Sequence, residues 1–254
     1  MILFASDLDN TLIFSERRDL QGEKKCIEVY QGRNISYMTL DSISYLKQLQ
    51  ELVRFVPVTT RSLDGFLRID FSDVGVPKYA VVCNGGILLE DGKVNEVWYS
   101  DSLHMIAESI PVLNQAMELL ERDENRSFEV RKPNDLFVFT KSNSPELTVN
   151  LLEKTLDLSV VDVLSQKDKI YVMPKKLHKG TAVERLKNFF SPEKTIVAGD
   201  TIFDVPMLRL GELAYFPEEL KAMAEEIPNG CCIAKEYGNF SDILLKCVLE
   251  FVEI

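Results

Sequence analysis

An apolar opening run, Met1-Ile2-Leu3-Phe4-Ala5-Ser6, leads straight into Asp7-Leu8-Asp9-Asn10-Thr11, with two carboxylates two residues apart. Alone such a pair says little, because aspartate and threonine cap helices and fill turns throughout proteins. Three further stretches change its meaning, each near the expected end of a strand or start of a helix. They are Val58-Thr59-Thr60-Arg61, His178-Lys179-Gly180-Thr181 and Ala198-Gly199-Asp200-Thr201-Ile202-Phe203-Asp204. Together they offer three or four carboxylates, one lysine and several hydroxyls. That much negative charge in one pocket calls for a hard cation, and Mg2+ accepts oxygen ligands while keeping several waters. A carboxylate beside such an ion can attack phosphorus and form an aspartyl phosphate, which divides one transfer into two steps. Lysine and hydroxyl donors then neutralise and orient the equatorial oxygens. Phosphoryl transfer uses every part of the set.

These residues need elements that bring them to one place. Ile2 to Ser6, Arg54 to Val58, Tyr79 to Cys83 and Thr195 to Ala198 are short, apolar and bounded by small or polar residues, the pattern of buried parallel strands. Between the first two, Met38, Ile43, Leu46, Leu49 and Val53 predict a helix over Ser36 to Val53. Strand and helix alternation points to an α/β, doubly wound parallel sheet whose ligands sit at the carboxyl ends of the strands, where Asp7 lies. An extended chain returns to the same face after two residues, so Asp7 and Asp9 can reach one phosphoryl group.

The middle of the chain has another texture. A hairpin is expected around Asp91-Gly92, with Gly85 to Leu89 and Val94 to Tyr99 as its arms. A helical pattern runs from Leu103 to Arg122, with Pro111 kinking it or dividing it in two. Strand-like stretches follow at Phe128 to Arg131, Leu136 to Thr140, Ser159 to Leu164 and Lys169 to Met173, with a helix over Pro145 to Leu156. The helix Gly180 to Phe190 then restores the first texture. The expected organisation is a discontinuous core, 1–86 and 176–254, interrupted by an α+β insert over 87–175.

Charge and composition remove several function classes. With 29 Lys and Arg against 40 Asp and Glu, the formal charge of −11 is opposite in sign to that of a duplex-binding protein. No nucleic-acid partner is expected. No run of about 18 apolar residues is present, and the start lacks a basic segment followed by an apolar one, so neither a membrane partner nor a signal peptide is expected. Five scattered cysteines without metal-ligand spacing read as reduced thiols of a cytoplasmic protein. Acyl transfer lacks a Gly-x-Ser-x-Gly elbow, and nucleotide binding lacks a P-loop. His104 and His178 have no partner at ligand spacing, which disfavours zinc.

The order DLDNT, hydrophobic strand ending in Thr, Lys-Gly and GDxxxD resembles the haloacid dehalogenase-like phosphohydrolase superfamily, over essentially the whole chain. The insert lies where that superfamily carries a C2 cap, so the chain looks most like the Cof-type or sucrose-phosphatase-like branch. The resemblance implies a Rossmann-like core and a Mg2+-dependent phosphatase acting on a small phosphorylated metabolite, foremost a sugar phosphate. It implies Asp7 as nucleophile and metal ligand, and Asp9 as general acid and base whose backbone carbonyl is a second ligand. Thr59, with Thr60 beside it, corresponds to the phosphate-binding hydroxyl. Lys179 corresponds to the lysine that shields charge between nucleophile and phosphate, Asp200 to a carboxylate metal ligand, and Asp204 to an acid holding a metal-bound water. Asn84-Gly85-Gly86 resembles the turn into the cap, with Asn84 either a phosphate contact or part of an ordinary turn.

Two departures stand out. Relatives often have Thr-Gly-Arg where this chain has Thr59-Thr60-Arg61. Many also read Gly-Asp-x-x-Asn-Asp, and here the Asn position is Phe203, whose ring has no amide to donate. Either another group, Asn84 or Thr201, takes that contact, or activity is reduced or redirected. The same motifs accommodate a phosphomutase or phosphotransferase, and a noncatalytic phosphometabolite-binding protein. In the insert, Arg126, Arg131, Lys132, Lys141 and Lys167 are candidate contacts for the remote part of a substrate, beside their ordinary role as solvated charges.

Overall fold

In the computed structural model, which describes residues 1–253, the opening run becomes β1 (Ile2–Ser6), buried at all but its first residue. The chain turns through Asn10 (φ 62°) and builds a small antiparallel sheet from β2 (Phe14–Ser15), β3 (Lys24–Tyr30) and β4 (Arg33–Thr39), in the order β2-β4-β3. Asn tolerates this left-handed conformation better than most residues. Thr39 then caps α1 (Leu40–Leu52), its side chain accepting from the Ser42 N–H at 3.0 Å. The helix expected over Ser36 to Val53 therefore begins four residues later. Ser36 to Thr39 is strand, and Met38 is buried from the sheet rather than from a helix.

β5 (Arg54–Pro57), α2 (Leu63–Leu67) and β6 (Tyr79–Val82) follow. β6 is not the parallel strand expected at Tyr79 to Cys83. It meets the end of β5 through a single parallel bridge, Val58 to Val81, and pairs antiparallel with β7 (Ile87–Glu90). β8 (Lys93–Val94) closes the hairpin around Asp91 (φ 48°) and Gly92 (φ 74°), two positive φ values that a tight hairpin turn demands.

The second compact unit spans Asn95–His178. It opens with α3 (Glu96–Met105), where Asn95 accepts from the Trp98 N–H at 3.0 Å. The strand expected over Val94 to Tyr99 is thus mostly helix, because a local cap outweighs the β preference of Val97, Trp98 and Tyr99. Pro111 stands in the first turn of α4 (Ile110–Arg122), where its missing N–H costs nothing, and the Leu103 to Arg122 pattern resolves into separate helices. The expected strand at Phe128 to Arg131 supplies only one isolated bridge, Arg131 to Phe139. β9 (Val138–Lys141), α5 (Pro145–Thr155), β10 (Val161–Gln166) and β11 (Lys169–Pro174) complete the unit. Its sheet runs β10-β11-β9, and Leu113, Leu120, Leu152, Val138, Ile170 and Val172 close the core between helices and sheet.

The chain returns to the first unit with α6 (Lys179–Phe190), β12 (Lys194–Ala198), α7 (Val205–Leu208), β13 (Leu213–Pro217), β14 (Gly230–Ile233) and α8 (Phe240–Val252). Its main sheet is parallel throughout, in the order β14-β13-β12-β1-β5. This is a Rossmann-like α/β core carrying an α+β insert. Among the described residues no helix is long and apolar enough to cross a membrane.

Candidate active site

Register places the site. Ser6 pairs with Ala198 on one side and Pro57 on the other, so Asp7, Gly199 and Val58 leave the sheet together at its carboxyl edge. The Asp7 N–H donates to the Ala198 carbonyl and the Val58 N–H to the Ser6 carbonyl, both at 2.8 Å, which pins the three strand ends. Open α/β sheets bind their ligands at this edge.

Lys179, first residue of α6, is buried, and its Nζ donates to Oδ1 of Asp7 and Oδ1 of Asp204, each at 2.5 Å. The helix comes this close to α7 because residue 180 is glycine. A Cβ there would lie 2.8 Å from the Pro206 carbonyl oxygen. Asp204 is fully enclosed, and its Oδ2 accepts from the N–H groups of Asp200 (3.0 Å) and Thr201 (2.9 Å) and from the Thr201 hydroxyl (3.0 Å). Gly199 makes this fold-back possible, since a side-chain carbon on it would sit 2.3 Å from the Asp204 Cβ. The Thr201 hydroxyl is thereby committed to Asp204, while half-buried Phe203 occupies the turn beside it.

Asp7, Asp200 and Asp204 each bring a carboxylate oxygen within 4.8 Å of the others. One ammonium does not balance three carboxylates in a buried place. Burial pushes the Asp7 carboxyl up to about 7 against the pull of Lys179, with the charges of Asp204 and Asp9 adding to the rise. Burial, then the charges of Asp7 and Asp204, push Asp200 up to about 9. Burial opposes the charge on Lys179, yet Asp204 and Asp7 hold its affinity for the proton well above the ordinary lysine value. An all-oxygen donor set with excess negative charge suits a divalent hard cation.

Thr11 was not singled out from the sequence, yet its hydroxyl lies 3.4 Å from Asp7 Oδ2 and 3.3 Å from Asp200 Oδ1. Its place as the fourth residue after Asp7 was the available signal. Asp9 follows a different pattern. Its side chain is 47% exposed, and Arg61 grips it with a two-pronged fork, Nε to Oδ2 and Nη2 to Oδ1, both at 2.7 Å. Arg61 also reaches Glu28 Oε2 from Nη1 at 2.9 Å, and the hydrogen bonds and charges of Asp9 and Glu28 raise its proton affinity against the effect of burial. Arg61 stood in the quoted Thr59-Thr60-Arg61 stretch without a role, and Glu28 lay outside every motif.

Thr59 is buried, and its hydroxyl accepts from the Arg61 N–H at 3.1 Å. Its carbonyl accepts from the Asn84 N–H at 3.0 Å, which sets Asn84 (φ 57°, buried) alongside. Thr60 is half-buried in the bend between Thr59 and Arg61. In the second unit, Arg131 pairs with Glu129, Lys132 with Asp135 at 3.3 Å and Lys141 with Asp168 at 2.9 Å, while Arg126 donates to the Phe128 carbonyl at 3.0 Å. His104 is exposed, with Nδ1 2.8 Å from the Ser100 carbonyl.

The model of the haloacid dehalogenase-like hydrolase family matches residues 94–227, a stretch that contains Lys179, Asp200 and Asp204. Among solved structures, the chain is similar to the sucrose-phosphatase of Synechocystis in complex with sucrose and phosphate, at 12% identity and a TM-score of 0.66, with 98% of this chain and 97% of that one covered. It is also similar to a Thermoplasma acidophilum protein, at 15% identity and a TM-score of 0.67 over 100% and 98% of the two chains. A haloacid dehalogenase-like hydrolase protein of Bacillus subtilis aligns at 14% identity and a TM-score of 0.57 over 100% and 92%. No curated protein gives a significant match.

Proposed function

Since the chain belongs to the haloacid dehalogenase-like hydrolases, we propose that it is a Mg2+-dependent phosphatase that cleaves a small phosphate monoester, foremost a sugar phosphate, through an aspartyl phosphate on Asp7. The observation that carries this reading is the buried Lys179 ammonium, 2.5 Å from both Asp7 and Asp204 at the carboxyl edge of the sheet. It supports the reading because a charged lysine beside Asp7 and Asp204 is what a nucleophilic carboxylate next to a cation site would need.

In this reading an Asp7 oxygen attacks phosphorus while Asp9 gives a proton to the departing oxygen. Asp9 then takes a proton from the water that cleaves the aspartyl phosphate. Lys179 stays charged and neutralises the phosphoryl oxygens, and its position at the start of α6 adds favourable backbone dipole. Thr59, Thr60 and Asn84 donate to the phosphate, with Asn84 replacing the amide lost at Phe203. Asp204 acts through its hold on Lys179 and on the 199–201 loop. Mg2+, held by Asp7, Asp200 and the Asp9 carbonyl with Asp204 behind them, would supply Lewis-acid neutralisation of the developing charge. In this reading the insert, 87–175, is a C2-type cap domain. A sugar phosphate is favoured because the fold's similarity includes a sucrose-phosphatase that holds sucrose and phosphate. Five scattered cysteines suit a cytoplasmic, reducing compartment.

Purified protein with Mg2+ is expected to release phosphate from nitrophenyl phosphate and from members of a sugar-phosphate panel. Asp7→Asn should reduce kcat by about 10⁴-fold or more, as loss of an essential nucleophile does. Full activity in that variant would overturn the assignment.

A further inference from the structure

Glu28 is a buried carboxylate on a stretch that carries no catalytic motif, with only 1% of its side chain exposed. Two of its three partners, Arg61 and Ser36, lead toward Asp9, while Arg68 lies over the Tyr30 ring. Its Oε2 accepts from Arg61 Nη1 at 2.9 Å and from the Ser36 hydroxyl at 2.7 Å, and its Oε1 accepts from Arg68 Nε at 3.2 Å. The two remaining prongs of the same Arg61 guanidinium hold both oxygens of Asp9.

The backbone is bent to achieve this. In a regular strand, neighbours point to opposite faces, so Ile27 and Glu28 cannot both turn inward. Here both are buried, because the β3–β4 pairing is irregular on each side of Glu28, between Cys26 and Glu28 and again between Glu28 and Val29. Bulges of this kind re-aim a side chain. The Asp70 N–H donates to the Ile27 carbonyl at 2.7 Å, and Glu28 bridges to Ile69, so the bulge is tied to the segment after α2. Burying a carboxylate is costly unless it is paired and hydrogen-bonded. The cost is met here by two arginines and a serine.

We propose that Glu28 is a positioning residue, which fixes the Arg61 fork so that the fork holds Asp9 in the orientation from which a proton, taken up from solvent on an oxygen lone pair the fork leaves open, passes to the leaving oxygen. The proposal rests on the phosphatase reading and adds to it a device built from the β3–β4 hairpin. Arg61 without Glu28 keeps its charge and the contact of Nη1 with the Gly65 carbonyl (3.1 Å), but loses the charged, shorter anchor on that prong (2.9 Å), and a planar fork works only in one orientation. Asp9 then keeps its chemistry and loses its aim.

General acid help matters most when the leaving oxygen is strongly basic and least when it departs readily as an anion. The experiment therefore measures kcat/KM, which reports the steps through loss of the leaving group, for nitrophenyl, phenyl and simple alkyl phosphates. The proteins are wild type, Glu28→Gln and Glu28→Asp, each with a thermal melt. Either Glu28 variant is expected to lose about tenfold or more on phenyl and alkyl phosphates and less than about threefold on nitrophenyl phosphate, since acid catalysis is worth about 10²–10⁴-fold in all. Arg61→Lys should show the same pattern. Should Glu28→Gln fail to fold, Glu28→Asp, which keeps the buried charge and withdraws it from Arg61, decides the matter. An equal loss on all three substrates, or none, overturns the positioning role. A wild-type protein inert toward all three overturns the phosphatase reading instead.

Discussion

The surroundings of Asp7 and Asp9 differ more than their two-residue separation suggests. Asp7 is enclosed, its compensating charge comes from a lysine equally enclosed, and the excess acid around it pushes its carboxyl up to about 7. Asp9 is half open to solvent and held at both oxygens by an arginine whose own anchor, Glu28, is buried. One site is short of positive charge, with one ammonium among three carboxylates. The other pairs its charge with a guanidinium that donates to each carboxylate oxygen, so it is oriented as well as neutralised. On the proposed phosphatase reading, a nucleophile at Asp7 has to be balanced and an acid at Asp9 has to be aimed.

Removing the central cation on each side separates the two sites by stability, and the largest loss falls on the Asp7 side. In Lys179→Met, Asp7 and Asp204 are left buried without their partner. Breaking a buried pair in this way costs about 3–5 kcal/mol. In Arg61→Met, Asp9 turns to solvent while Glu28 keeps Arg68 and Ser36, so the loss is about 1.5–3 kcal/mol, that of a hydrogen bond to a charged group. Denaturant melts at pH 8 without metal give both numbers. Equal losses would erase the distinction between a balancing and an aiming cation.

The Asp7 half and Asp9 itself were open to a reading of the sequence, but the groups that hold Asp9 were not. Asp7, Lys179, Asp200 and Asp204 each stand at the end of an apolar run or the start of a helix, so local pattern alone brings them to the sheet's carboxyl edge. The Asp9 half depends on Glu28, in a charged stretch, 16–35, with no clear period to mark strands. Its inward turn comes from a bulge, which breaks the alternation that would have revealed it. Elsewhere single side chains decided the outcome. Thr39 ends a strand where apolar spacing continues a helix, and Asn95 starts a helix where Val97, Trp98 and Tyr99 favour a strand. Propensity summed over a window misses a cap that acts at one residue.

The charge deficit also has a sign that melting reveals. Asp7 (about 7) and Asp200 (about 9) bind protons more tightly in the folded chain than at their ordinary value of 3.8. Between pH 4 and these values the unfolded chain has released protons that the folded one retains, so their contribution to stability falls as pH rises. In chelator, Asp200→Asn is therefore expected to melt higher than wild type at pH 8 and to lose the advantage toward pH 4. Mg2+ in hundredfold excess over its dissociation constant should add about 2.7 kcal/mol to the wild type at pH 8. At a fixed concentration it should add less at pH 5.5, where protons compete for the same oxygens. A wild-type protein whose melting ignores Mg2+ at every pH would mean that the deficit serves no cation.

The smallest expected effect probes how finely the Asp7 side is set. Thr11 has one hydroxyl proton and two acceptors, Asp7 Oδ2 at 3.4 Å and Asp200 Oδ1 at 3.3 Å, so it can satisfy only one of them at a time. Both distances are long for a hydroxyl donor, whose usual range ends near 3.0 Å. Thr11→Val keeps the buried shape and removes the proton, leaving Lys179 to orient Asp7. The expected cost is about 0.5–1.5 kcal/mol, the net worth of one hydrogen bond, and hence roughly tenfold at most in kcat. A loss near that of Asp7→Asn would show that charge balance alone does not set the nucleophile, and that the Asp7 side is aimed by hydrogen bonds as the Asp9 side is.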